Sequence, residues 1–98
     1  MELDFTFRNV ESTDAIKVWA LKRFQKVVKH VREPAHAHLT MTVDKRRHKA
    51  DVSIRTDGEL LHASSETDDM YSSIDAVCST IENSARRLKD RRQSSHEL

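Results

Sequence analysis

Apolar residues fall at every second position from Leu3 to Phe7, and Asp4, Thr6 and Arg8 fill the places between and after them. A period of two predicts a half-buried strand over Glu2 to Arg8. Asn9 to Ser12 leads out of it. Thr13 is placed to cap a helix, with Asp14 favourable in the first turn. The period then changes. At roughly 100° per residue, Ile16, Ala20, Phe24, Val27 and Val31 share one helix face, with Trp19 at its edge. Lys22, Lys26 and Lys29 follow one another at i, i+4 and i+7 on nearly the opposite side. Pro34 ends this helix at or before Glu33.

Alternation returns over His36 to Asp44, with Ala37, Leu39, Met41 and Val43 on one side. The charged segment KRRHK, Lys45 to Lys49, reads as a basic turn into a third strand whose inward residues are Ala50, Val52 and Ile54. Asp57-Gly58 is a strong hairpin signal. The strand after it, Glu59 to Ser65, is less regular, with Leu61 and Ala63 inward. Asp68 and Asp69 open a last helix. Met70, Ile74, Val77, Ile81, Ala85 and Leu88 form its apolar stripe, with Tyr71 and Cys78 beside it.

The order is β-α-β-β-β-α, an α+β chain in which every element has a single apolar face. The simplest packing is a two-layer sandwich: a four-stranded mixed sheet with both helices on one face. The first two strands run parallel through the first helix, and the rest is antiparallel through short hairpins. The other sheet face then shows His36, His38, Thr40, Thr42, Asp51, Ser53, Arg55 and His62 to solvent.

Composition fits this picture. The chain has 98 residues, of which 37% are hydrophobic and 34% charged. That suits one small soluble domain with a heavily charged surface. Residues 1–92 make up the domain and 93–98 a polar, disordered tail. The one cysteine leaves no intramolecular disulfide and no multi-Cys zinc site. Without a signal peptide or an apolar run of membrane length, the expected compartment is the cytoplasm.

Net charge is only +1, but its distribution is uneven. Lys17 to Arg32 holds six lysines and arginines and no acid, whereas Asp57 to Glu82 holds seven acids and no lysine or arginine. Three basic clusters stand out. Helix 1 offers Lys17, Lys22, Arg23, Lys26, Lys29 and Arg32. The turn offers Lys45, Arg46, Arg47 and Lys49. Helix 2 offers Arg86, Arg87, Lys89, Arg91 and Arg92. Charged residues cover most helices for solubility, and basic residues suit a helix C-terminus. A basic stretch without acids, such as Lys17 to Arg32, however, repels itself unless an anion is brought to it. Phosphate backbones are the obvious anion. An RNA of fixed shape fits two helix faces on a sheet better than a groove-reading helix does.

Other constellations point nowhere specific. His36, His38 and His62 lie on the outer sheet face, and whether they meet depends on register; they read as solvated strand histidines, with no metal or cofactor implied. Asp68 and Asp69 are explained as helix-start residues, and nothing pairs Asp75 with a nucleophile. Cys78 reads as a buried inert thiol. No catalytic group emerges, and enzyme function is not expected. Val18, Leu21 and Val28 lie off the core face of helix 1; Leu21 and Val28 broaden the buried stripe, or the three form a small apolar contact.

Some stretches resemble a known family. Arg8-Asn9-Val10-Glu11 precedes Thr13 at the helix start, and LTMTV leads into a charged turn. HASSETDDMYSSIDAV, His62 to Val77, carries Asp69-Met70-Tyr71 and the pair Ile74-Asp75. In this order the pattern resembles the short ribosome hibernation promoting factors, also known as ribosome-associated inhibitors or sigma-54 modulation proteins. The resemblance implies a monomeric domain similar to a double-stranded RNA-binding domain. It implies a non-enzymatic, stationary-phase and stress-response factor on the small ribosomal subunit (30S) and 70S ribosome. Such a factor lies over the tRNA and mRNA path near the decoding centre, blocks translation and preserves idle ribosomes. Lys22, Arg23, Lys26, Lys29, Arg86, Arg87 and Lys89 match basic positions that face small-subunit rRNA in the family, and Lys45 to Lys49 falls in a charged region of it. Pairing of ribosomes would need a separate factor. The sigma-54 description offers another reading, a module regulating transcription through a sigma-54-type protein partner. Val18, Leu21 and Val28 stand where polar residues are more usual, and Ala85 where a larger apolar one is common, which implies a less well packed helix end.

Overall fold

The computed structural model describes the backbone of residues 1–96 and the side chains of residues 1–91. The side chains of Arg92 and of the expected tail, 93–98, lie outside the described residues. The elements are β1 (Glu2–Arg8), α1 (Asp14–Val28), β2 (Ala35–Asp44), β3 (Arg47–Thr56), β4 (Glu59–Thr67) and α2 (Met70–His96). The sheet order is β1-β2-β3-β4. β1 runs parallel to β2, and both later pairs are antiparallel. The fold is the α+β arrangement that the hydrophobic periods predict.

Alternation decides which side of the sheet is covered. Ala37, Leu39, Met41, Ala50, Val52 and Ile54 are fully buried. They share one core with Ile16, Ala20, Phe24 and Val27 of α1 and with Met70, Ile74, Val77 and Ile81 of α2. α2 packs on β3 and β4, and α1 packs beside α2. Both helices therefore cover the same face. β1 is an edge strand, and its Leu3, Phe5 and Phe7 are only half-buried against that core. Ala85 and Leu88 are buried as well, so the small residue at 85 leaves the stripe of α2 continuous.

Several boundaries differ from the sequence expectation. α1 ends at Val28, well before Pro34. The His30 and Val31 amides donate to the Val27 and Val28 carbonyls at 3.0 and 3.1 Å, three residues back, which tightens the last turn and stops the helix. Val31 lies past the helix but still packs against the core. The basic segment is not a five-residue turn. Asp44 pairs with Arg47, so Lys45-Arg46 alone makes the turn, and Arg47, His48 and Lys49 are strand residues. Lys45 takes φ 58°, a left-handed conformation unusual for a residue with a side chain. The Asp57-Gly58 turn has positive φ at both residues, 54° and 76°, as a two-residue hairpin of the right twist requires. β4 also runs two residues past Ser65, to Thr67.

The helix starts are fixed by side chains. The Thr13 hydroxyl accepts the Ile16 amide at 3.2 Å. At α2 the Asp69 carboxylate accepts both the amide and the hydroxyl of Ser72 at 3.0 Å. Ser73, fully buried, donates to the His48 carbonyl at 2.6 Å, tying the first turn of α2 to β3. The Cys78 thiol, buried beside this stripe, is pushed up to about 12 by burial.

Two outcomes follow. The Asp69 carboxyl is held below its ordinary range, first by the Ser72 amide and then by the Ser72 hydroxyl. A depressed carboxyl stabilises the fold above its unfolded pKa and loses that contribution as pH falls through the folded value. Asp69→Ala should therefore lower the melting temperature at pH 7. The gap from the native chain should close as pH falls below about 4, read by circular dichroism melts. Cys78 should resist a thiol reagent such as iodoacetamide at pH 8 in the folded protein and react fully in denaturant. Rapid labelling of the folded chain would contradict its burial.

Candidate nucleic-acid interface

The basic residues divide by what holds them. Lys22 and Lys26 lie exposed on α1 and Lys29 at its C-cap, and their side chains make no hydrogen bond or ion pair among the described residues. The same is true of Lys45, Arg46 and Lys49, and of Lys89 on α2. The arginines are mostly engaged. Arg32 pairs with Asp57 at 3.2 Å. Arg47 reaches the Glu66 carbonyl at 3.2 Å and its carboxylate at 3.7 Å. Arg86 pairs with Glu82 at 3.4 Å, and Arg87 donates to the Ser84 hydroxyl at 3.4 Å. Arg91 lines a shallow depression with Leu61, Ser84, Arg87 and Asp90. The available positive charge is thus carried by lysine, a compact point charge on a flexible stem, more than by arginine with its planar fork.

Arg23 is the largest departure from expectation. Sequence places it among the anion-binding residues of α1, but it is half-buried and turned toward α2. Its Nε lies 3.0 Å from the Asp75 carboxylate, though the N–H is not aimed along a hydrogen-bond line. Its Nη2 reaches the Asp75 backbone carbonyl at 3.5 Å. Asp75 also accepts the indole N–H of Trp19 at 3.0 Å. The Trp19 ring meets Tyr71 edge to face, with centroids 5.7 Å apart. Arg23, Trp19, Tyr71 and Asp75 together close the seam between the helices. Sequence reasoning missed this cluster because it joins residues 56 positions apart. The one local signal was an aspartate on α2 with no charged neighbour to explain it.

Trp19 faces Tyr71 and Asp75, and Arg23 faces Asp75, so the paired positions advance together and the helices run in the same direction. α2 has 27 residues against 15 in α1. Past the paired Trp19 and Asp75, α2 continues for twelve residues more than α1 does, about 18 Å of helix. Arg86, Arg87 and Lys89 sit on this extension. Val18 and Leu21 do not broaden the buried stripe. They are 53% and 49% exposed, with Val28 exposed beside them.

The outer sheet face is polar and largely self-paired. His36 stands between Glu2 at 3.2 Å and Asp4 at 2.9 Å. His38 meets the Thr6 hydroxyl at 2.6 Å, and His62 meets Asp51 at 3.0 Å. Register answers whether the histidines meet: Ser53 lies between His38 and His62, and His36 is in the next row. Among the described residues, no group of three or more His, Cys, Asp or Glu is placed to hold a metal ion. Lys49 stands on this face near Arg8, Thr42 and Asp51, away from the lysines of α1. No helix among the described residues is long and apolar enough to cross a membrane.

Residues 3–93 match the model of a family described as sigma 54 modulation protein / S30EA ribosomal protein. The chain is 30% identical over 91 residues to a ribosome hibernation promoting factor of Salmonella typhimurium, covering 93% of this chain and 96% of that one. It is 24% identical over 94 residues to one from Pseudomonas putida, covering 96% and 92%. Its fold is similar to the N-terminal domain of Thermus thermophilus Protein Y, with a TM-score of 0.84 and 22% identity over 90% of this chain and 99% of that one. A ribosomal subunit interface protein from Coxiella burnetii has a TM-score of 0.78 and 20% identity over 92% and 99%.

The seam cluster makes its own prediction. Asp75→Ala removes the acceptor for Trp19 and the counter-charge for Arg23 together. Because the group is partly exposed, the expected cost is about 1 kcal/mol in urea denaturation, with a shifted Trp19 emission spectrum. An unchanged midpoint and spectrum would show that the seam does not depend on Asp75.

Proposed function

Because the chain belongs to the sigma 54 modulation protein / S30EA ribosomal protein family, we propose that it is a ribosome hibernation factor acting on the small subunit. Its relatives carry that name. The protein is not an enzyme. In this reading the domain occupies the tRNA and mRNA channel near the decoding centre, excludes the ligands of translation and keeps idle ribosomes intact under stress. Two helices on one face of a sheet give the layout that we liken to a double-stranded RNA-binding domain.

The observation that carries the reading is the row Lys22, Lys26 and Lys29. These three ammonium groups stand on one side of α1 and its C-cap, within the acid-free stretch Lys17 to Arg32, with no partner among the described residues. Contacts from such groups to phosphate are independent of sequence and sensitive to salt. We place them first among the rRNA-contacting residues, with Lys89 next. Arg86, Arg87, Arg91 and Arg92 extend the row along α2, and Lys45 and Arg46 reach out from the hairpin. Arg47 and Lys49, being strand residues, and Arg23, held by Asp75, take lesser parts.

A second reading, a module that docks a sigma-54-type protein, draws on the exposed Val18 and Leu21 and on the family's description. A pull-down from ribosome-free lysate that recovered one stoichiometric protein would favour it.

Sedimentation with purified 30S, 50S and 70S particles at two salt concentrations tests the first reading. The native chain should travel with 30S and 70S, more strongly at low salt. Changing Lys22, Lys26 and Lys29 together to Gln should reduce the slope of log affinity against log salt by about two to three, with the melting temperature unchanged. Full 30S binding by that variant at elevated salt would sink the proposal.

A further inference from the structure

Trp19, Lys22, Arg23 and Lys26 follow one another at i, i+3, i+4 and i+7, so they form one face of α1. That face borders α2 and is not the core face, which belongs to Ile16, Ala20, Phe24 and Val27. Trp19 and Tyr71 are each 37% exposed, although both are large aromatic residues on a seam that could have been closed by aliphatic ones. Their rings meet at 81°, so the ring presenting its edge keeps both of its own faces clear of the other. The indole is held in place: its N–H is fixed on Asp75 at 3.0 Å, and that carboxylate is flanked by Arg23. Lys22 and Lys26 stand beside it with no partner of their own.

A fixed, exposed aromatic pair bordered by unpaired cations matches the chemistry of a single nucleotide, a planar base with a π face for stacking joined to an anionic phosphate. We infer that Trp19 and Tyr71 form a stacking site for one unstacked base of RNA, whose neighbouring phosphates are met by Lys22 and Lys26. Unpaired bases in loops and bulges are commonly bound in this way, by aromatic rings within a positive surface. A protein helix is the less fitting occupant, because cations border the aromatic pair on the α1 side and the Asp75 and Asp69 carboxylates near it are already engaged, Asp75 by Trp19 and Arg23 and Asp69 by the start of α2. The inference rests on the small-subunit rRNA reading and adds to it a base contact, which does not depend on salt as phosphate contacts do.

The test compares 30S affinity for the native chain, Trp19→Leu, Trp19→Phe and Tyr71→Leu at two salt concentrations. Leu and Phe both lose the bond to Asp75, and only Phe keeps a ring. Trp19→Leu should weaken binding roughly tenfold while leaving the salt slope unchanged. Trp19→Phe should restore most of that loss, and Tyr71→Leu should weaken binding in the same direction. Zero-length ultraviolet crosslinking of the native complex should join a peptide containing Trp19 or Tyr71 to an rRNA base, a readout that needs no variant to fold. Leu and Phe variants that bind alike, or crosslinks from these peptides to ribosomal protein instead of rRNA, would overturn the stacking site and leave the hibernation reading standing. Failure of the native chain to bind 30S at all would overturn both.

Discussion

Every element of this chain has one apolar face, and only one side of the sheet is covered. From that constraint the rest of the molecule follows. Leu39, Met41, Val52 and Ile54 must be buried, so both helices collect on their side and turn their own stripes inward. The outward helix faces are then left to charge, and the outward sheet face to polar side chains. Burying a few fully enclosed side chains of this size, at about 1.5–3 kcal/mol each, outweighs any preference among the surface charges. The unpaired lysines are free to be arranged for another purpose because they have no part in holding the fold.

Within that surface, lysine and arginine are used differently. Arg23, Arg32, Arg47 and Arg86 are spent on carboxylates of the same chain, bridging helix to helix, loop to turn, strand to strand and turn to turn. Lys17 stands over the Phe7 ring at 6.0 Å, while Lys22 and Lys26 of α1 and Lys29 at its C-cap carry no ion pair among the described residues. A planar fork is suited to fixing structure, whereas a flexible ammonium can adapt to a phosphate whose position varies. Exposed ion pairs contribute little stability each, so the arginine pairs matter more for orientation than for energy.

The elements were legible in the sequence because periods of two and of 3.6 are written directly in the apolar positions. The core of α1 and α2 and the inward residues of β2 and β3 could be named residue by residue. What was not legible had a physical reason in each case. Arg47, His48 and Lys49 alternate as a strand should, but all three are polar, so no hydrophobic signal marks them. α1 stops early because of backbone bonds in its last turn, before Pro34 has any say. The engagement of Arg23 and the placement of Trp19 depend on how two helices slide past each other, and the pattern within one helix holds no information on that. The resemblance reached the family; the pairing of each cation needed three dimensions.

The unequal length of the two helices has a further consequence. The body measures 51 × 21 × 19 Å, and α2 alone spans about 40 Å of the long axis. By the pairing of Trp19 with Asp75 the extension begins level with Lys29, so Arg86, Arg87 and Lys89 carry basic charge on past the end of α1 along one stiff helix. Charges held on one rigid element keep fixed separations. Once some are seated, the rest are presented at set distances and at high effective concentration, provided the target offers matching separations. Spacing between anions, more than their identity, then becomes the quantity such a surface measures.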